Sequence, residues 1–341
     1  MKKRVLYFDF LKAIAIIFVI LIHVISEYWE TLDVNSNTFI VLSFLDSISR
    51  FCVPIYFMVS GSLFLNEEKN ITIKDVLKKY VPRILLLFIF WNISYNVLNI
   101  IVTKQVISLK VISNIFIDTI FGKGIFHLYF LPIIIGFYLC LPALRQITKK
   151  ENKNIIKYLI IILFIFFGFS RIFNYLFNIS LSYTIVFSKY LIYFLLGYYL
   201  NTFEISKKNT KMIYMIGFVG FIITFAMTVI CSKTNGITDV FFKYDTFNVI
   251  IYSTAIFLFV KNNIVKFNDK LLKILSQTNF GVYLIHGLVL GLLEFIGLFS
   301  KIDNISITLS IIVNSILIYL ISTLSIYILI KIPFIKKLVS L

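Results

Sequence analysis

The chain has 341 residues, 60% of them hydrophobic and 14% charged, with a mean hydropathy of +0.95. Soluble domains carry about 45–50% apolar and about 25% charged residues, so a soluble fold is excluded and a polytopic membrane protein is expected. The net charge of +17 is scattered over short loops rather than gathered in one domain or stripe, which excludes a nucleic-acid-binding domain.

The first apolar stretch, about residues 7–27, is long enough to span a bilayer. It follows the charged start MKKR, as in a signal peptide. Asp9 and Lys12 interrupt it, however, and no small-residue cleavage site follows, so the helix is expected to stay. Within FDFLKAIAIIFVILIHV, Phe8 to Val24, stand Asp9, Lys12 and His23. A charge at the bilayer centre costs at least ~2.5 kcal/mol, so these residues need a reason. At 100° per residue, Lys12 and His23 point about 20° apart and His23 lies about 16 Å further along the axis. Asp9 precedes Lys12 by one turn and shares the stripe. Two readings stand for Asp9 and Lys12: an ion pair anchoring the helix end, or the lining of a functional path. For His23 the two are a histidine hydrogen-bonded between helices, and a general base or nucleophile.

The second span is expected at about 45–65, where Asp46 and Arg50 are spaced to pair and Pro54 and Gly61 permit a kink or close helix approach. The third, about 81–103, opens with Lys78, Lys79 and Arg83, which are either an orientation signal or a clamp for phosphates. The fourth, about 126–145, opens with His127 and Tyr129. Further spans follow at about 155–176, 183–201, 211–231 and 246–260. The ninth, about 279–299, carries Tyr283, His286 and Glu294, for which core packing and interhelical hydrogen bonding are the plain alternatives to a functional role. The tenth is about 307–330. The expected fold is therefore all-α, with about ten transmembrane helices. No gap between spans holds a soluble domain, so residues 1–341 are expected to form one integral-membrane domain. Cys52, Cys140 and Cys231 show no metal spacing and are read as small buried hydrophobes. The three histidines lack close metal-ligand spacing, so no metal is expected.

Lys and Arg mark orientation. Of the 33 basic residues, 23 lie at the chain ends and in alternate loops, counting the flanking Arg83 and Arg145; six lie in the opposite loops, and Lys12, Arg50, Arg171 and Lys189 lie inside spans. Both termini are thus expected on the cytoplasmic side. The spans do not divide into two similar halves, which weakens a transporter reading.

These features together resemble the integral-membrane acyltransferase-3 family. Lys12 and His23 meet its R/K-x10-H motif, with Asp9 as the preceding acid. VPIYFMVSGSLF, HLYFLPIIIGFYLCLP, YFLLGYYL and FGVYLIHGLVL follow in the family's order. Two positions depart: the first Arg of the family's RxxR pair would be Tyr80, with Lys79 beside it, and the frequent Ser or Thr before FG-YLIH is Asn279. No hydrolase-like extension is expected, which makes this the stand-alone form.

The resemblance implies an acyltransferase, an O-acetyltransferase in the first instance, in a bacterial plasma membrane. It takes an acetyl or related acyl group from cytoplasmic acyl-CoA to a hydroxyl of an extracytoplasmic cell-surface glycan or glycolipid. Acyl-CoA is then a co-substrate, with no permanently bound cofactor. Lys78, Lys79 and Arg83 would hold the donor's phosphates, and Lys12 with Asp9 would line the path. His23 would act as base or nucleophile. His127, Tyr129, Tyr283 and His286 would serve the acceptor side. The rival readings are a transporter or flippase for a lipid-linked glycan, using the same His, Asp and Lys as a proton path, and a membrane sensor.

Overall fold

The computed structural model describes residues 4–103, 108–120, 126–177, 186–263, 269–303 and 305–340. Among them there are helices and connecting turns and no strand. This is what a bilayer requires of an apolar chain, because a helix satisfies its own backbone donors and acceptors. In chain order they are α1 (Leu6–Trp29), α2 (Asn37–Ser49), α3 (Cys52–Phe64), α4 (Ile73–Asp75), α5 (Val81–Thr103), α6 (Leu109–Ile120) and α7 (Phe130–Ile147). There follow α8 (Lys153–Phe177), α9 (Val186–Thr202), α10 (Lys207–Asn235), α11 (Phe247–Asn263) and α12 (Asp269–Phe295). The last are α13 (Leu298–Asp303), α14 (Ile307–Leu329) and α15 (Pro333–Val339). A π-helical turn, Val76–Tyr80, joins α4 to α5.

The described residues contain eight helices long and apolar enough to cross a membrane. The sixth and eighth expected spans correspond to α9 and α11, which have 17 residues each. Seventeen is the lower end of what spans hydrocarbon. The helices run further than hydropathy indicates. Ser36 caps α2 by accepting a hydrogen bond from the Phe39 amide, which draws residues expected in a loop into the helix. A capping box between Thr72 and Asp75 starts α4 inside the expected 66–80 loop. The expected 104–125 loop contains α6, and α12 begins ten residues before position 279. Hydropathy marks the greasy part of a helix, not its polar ends. Lys2, Lys3, Lys104, Lys123 and Lys266, and residues 183–185 of the sixth expected span, lie outside the described residues.

The first helix is the centre of the bundle. It packs against α3, α12 and α14, and also α2 and α11. Leu11, Ala15, Ile16, Ile20, Val24 and Ile25 are buried along its length. Large apolar side chains instead face outward on α8 (Ile165, Phe166), α10 (Phe218, Val219) and α14 (Leu320, Leu324), as a lipid-facing belt does. Cys52 and Cys231 are buried, but Cys140 is exposed on the outer face of α7, against the expectation for it.

Two glycines fix the closest crossing. A Cβ on Gly61 of α3 would lie 1.8 Å from the Phe194 carbonyl oxygen, and one on Gly197 of α9 would lie 1.9 Å from the Met58 carbonyl oxygen. Each helix therefore uses a glycine to admit the other's backbone. This explains the glycines of VSGSLF and YFLLGYYL. The crossing also sets the position of two stretches that line a cavity, Arg50 to Tyr56 and Lys189 to Tyr190.

Candidate active site: a histidine cluster and two cavities

All three histidines meet in space. The ring centres of His23 (α1), His127 (the turn before α7) and His286 (α12) are 5.9, 5.2 and 4.9 Å apart for the pairs 23–127, 23–286 and 127–286. The surroundings hold them in place. Tyr283 Oη donates to the His127 carbonyl at 2.9 Å. Tyr95 Oη donates to the Leu284 carbonyl at 2.9 Å and accepts from the Leu288 amide at 3.1 Å, with its ring 4.7 Å from His127. Position 287 is glycine because a Cβ there would stand 2.8 Å from His127 Cε1. Nδ1 of His286 faces two backbone carbonyls, Tyr283 at 2.7 Å and Val282 at 3.1 Å, so it carries the proton. In neutral His286, Nε2 then bears the lone pair on the side away from its own helix. Neither this atom nor Nε2 of His127 has a hydrogen-bond partner among the described residues. No group of three His, Cys, Asp or Glu there has the arrangement of a metal site.

A cavity of ≈ 470 Å³ opens beside this cluster and is lined by His23, His127, Tyr129 and Tyr283. His286 is fully buried behind the cluster and does not line it. The far wall is aromatic and mixed in charge. Trp29, Tyr190 and Tyr244 contribute rings; Arg50, Lys189, Lys243, Glu30, Asp46, Asp239 and Asp245 contribute charges. Arg50 pairs with Asp46 one turn away, as their spacing predicts, and lies 4.5 Å over the Phe242 ring. The helix break at Arg50 and Phe51 aims this pair at the cavity. Lys243 pairs with Asp239. Arg171 grips Asp245 with two hydrogen bonds, 2.9 and 2.8 Å. Burial alone would raise the Asp245 carboxyl, but the Arg171 hydrogen bond and the charges of Lys189 and Arg171 hold it below its ordinary range.

A second cavity, of ≈ 840 Å³, shares Tyr56, Phe130 and Phe280 with the first, and its charged lining residues are Lys12, Lys79, Arg83, Lys331 and Lys336. Among the described residues no carboxylate lines it. Lys12 is held by Asp9 at 3.1 Å, and Ser276 joins them, donating to Asp9 at 2.6 Å and accepting from Lys12 at 3.5 Å. Arg4 also pairs with Asp9. Lys79 and Tyr80 come from the π-helical turn and face the cavity with Arg83, whereas Lys78 does not line it.

Tyr56, Phe130 and Phe280 line both cavities and so form the partition between them. Tyr56 Oη donates to Asn279 Oδ1 at 2.9 Å, and Asn279 Nδ2 donates to the Lys12 carbonyl at 2.7 Å. A serine or threonine hydroxyl has a single proton to donate and a shorter reach, so asparagine here ties the partition directly to the first helix.

The structure thus divides the sequence candidates. His23, His127, Tyr129 and Tyr283 share one cavity; Lys12, Lys79 and Arg83 share the other; Asp9 and His286 stand behind the walls; Lys78 stands apart. Sequence reasoning missed the partition, although Tyr56 and Asn279 sit in or beside the quoted motifs. It also missed Lys331 and Lys336, which carried no signal beyond their charge.

The comparison with curated proteins and the comparison with solved structures each returned no match. The family comparison matched the acyltransferase-3 model, described as an acyltransferase domain, over residues 5–331. That range takes in every motif of the site and all helices from α1 to α14. This multi-pass membrane protein belongs to the acyltransferase-3 family.

Proposed function

We propose that the protein moves an acetyl or related acyl group from cytoplasmic acyl-CoA to a hydroxyl of an extracytoplasmic cell-surface glycan or glycolipid, in a bacterial plasma membrane. The observation that carries this is the contrast between the two cavities on either side of the Tyr56–Phe130–Phe280 partition. The one whose charged lining, among the described residues, is wholly cationic suits a polyanionic donor, because Lys and Arg hold phosphates well. The one with aromatic rings and paired charges suits a polyol, whose hydroxyls find donors and acceptors and whose faces stack on rings. The excess of basic residues in one set of loops supports the orientation, with the cationic cavity cytoplasmic.

In this reading the CoA phosphates stay in the Lys12 cavity. The slender pantetheine arm passes the Tyr56–Phe130–Phe280 partition and brings the thioester to His23. The His23 lone pair takes the proton of the acceptor hydroxyl. The hydroxyl oxygen attacks the thioester carbonyl, the C–S bond breaks, and the CoA thiolate takes up the proton as the ester forms. The alternative order, in which His23 is first acylated and then gives the group to the hydroxyl, uses the same atoms. His127, Tyr129 and Tyr283 orient the acceptor. His286 holds His23 from behind. Acyl-CoA is a co-substrate and not a resident cofactor.

Purified protein is expected to release free CoA from acetyl-CoA when a surface-glycan acceptor is supplied, and far more slowly without it. The flippase reading predicts instead that a labelled lipid-linked glycan crosses vesicles with no CoA released. That result would sink the acyltransfer proposal.

A further inference from the structure

The segment after α14 turns back onto the bundle and closes the wall of the cationic cavity. Pro333 starts α15, with φ already set for a helix. Three fastenings hold the segment. Trp91 Nε1 donates to the Leu338 carbonyl at 2.8 Å, and Arg83 donates to the Ser340 carbonyl at 2.9 Å. Val339 is buried, and its carbonyl approaches Gly281 so closely that a Cβ there would stand 2.7 Å from the oxygen. Two helices, α5 and α12, thus set where this short segment lies.

The result is a concentration of unbalanced charge. Lys331 and Lys336 line the same cavity as Lys79 and Arg83. None of these four cations has an ion-pair partner among the described residues, unlike Lys12. Lys331 lies 4.5 Å over the Tyr327 ring and Lys79 lies 5.6 Å over the Tyr80 ring, which orients the ammonium groups without neutralising them. Like charges facing one cavity repel, and the arrangement is relieved by a ligand carrying several negative charges. Lys336 and both fastened carbonyls lie beyond the residues matched by the family, which end at 331.

We propose that α15 is part of the donor site, with Lys331 and Lys336 contacting the phosphoryl groups of the acyl-CoA and Trp91 and Arg83 positioning the segment that presents them. This rests on the acyl-CoA reading above and adds the residues that recognise its nucleotide end. A phosphorylated lipid headgroup has the same chemistry, so the experiment separates the two sources.

The probe is adenosine 3′,5′-bisphosphate, titrated calorimetrically into the full chain in neutral detergent. Losing two charge-assisted contacts in Lys331→Ala/Lys336→Ala is expected to weaken binding by about tenfold or more. Lys336→Arg is expected to retain affinity. Lys337→Ala, on the same helix but not lining the cavity, is the control and is expected to bind as wild type. In transfer assays the double variant is expected to raise KM for acetyl-CoA by a similar factor, with no change in KM for S-acetylpantetheine, which has no phosphate. Trp91→Phe keeps the ring but loses the bond to Leu338; it is expected to raise KM for acetyl-CoA and leave kcat near wild type. Bisphosphate binding that ignores both lysines overturns the proposal. So does lysine-dependent binding of phosphatidylglycerol vesicles in its place. Transfer with lysine-independent binding removes only the α15 clamp, while lysine-dependent binding without any transfer removes only the acyltransferase reading.

Discussion

His23→Gln is expected to lose acyl transfer while the protein still inserts, folds and elutes as wild type. Glutamine fills similar space and can hydrogen-bond, but it cannot take a proton near neutral pH. If His23 is the base, kcat is expected to fall by about 10²–10⁴-fold, the range that positioned proton transfer supplies. If it is the acylated nucleophile, the loss is at least as large, since glutamine has no lone pair nucleophilic enough to take the acyl group. His23→Ala is expected to fail equally. A purely structural histidine predicts the reverse order: alanine destabilises and glutamine restores function. The measurement is transfer per folded protein, with fold checked by size-exclusion chromatography and thermal melting. Near-wild-type turnover by His23→Gln would end the catalytic assignment.

The second large effect is on the fold. Gly197→Leu is expected to destabilise the protein by at least about 3 kcal/mol, the upper end of ordinary overpacking. Its Cβ would meet the Met58 carbonyl oxygen at 1.9 Å, and backbone cannot rotate aside as a side chain can. Forcing α3 from α9 also parts Phe57 from Tyr190, whose rings stack at 4.6 Å beside the first cavity, so activity is expected to fall with stability. Gly291→Ala is the contrast. Nothing lies within 4 Å of the added methyl in the interior of α12, and alanine favours a helix over glycine by about 1 kcal/mol. Melting of the detergent-solubilised protein distinguishes them. Equal melting temperatures for the two variants would show that the reciprocal glycine crossing is not needed for the fold.

Much of this architecture is legible in the sequence because bilayer physics is severe. Apolar runs of about 20 residues fix the helices, and basic residues mark alternate loops. The ion pairs Asp9–Lys12 and Asp46–Arg50 follow from one-turn spacings alone. The helix ends are less legible, because caps such as Ser36 and Thr72 act where hydropathy has already fallen. The convergence of His127 and His286 on His23 is a tertiary fact. Nothing in local spacing brings a turn before α7 and the middle of α12 to one point. Helical periodicity puts Lys12 and His23 on one stripe, but only packing shows that Tyr56, Phe130 and Phe280 divide that stripe between two cavities. Lys336 was least legible of all: a lysine near a membrane edge reads as an orientation signal until Trp91 and Arg83 fasten its segment to the cavity wall.

The central claim is that donor and acceptor meet across the partition from opposite faces of the membrane. It is tested most directly with the protein in sealed vesicles of known orientation. Acetyl-CoA labelled in the acetyl group is supplied only on the face of the Lys12 cavity, and a membrane-impermeant glycan acceptor only on the face of the His23 cavity. The account predicts labelled acceptor on the far face, with free CoA accumulating on the near one and the vesicles remaining sealed. Label that appears only when donor and acceptor share the same face would contradict it.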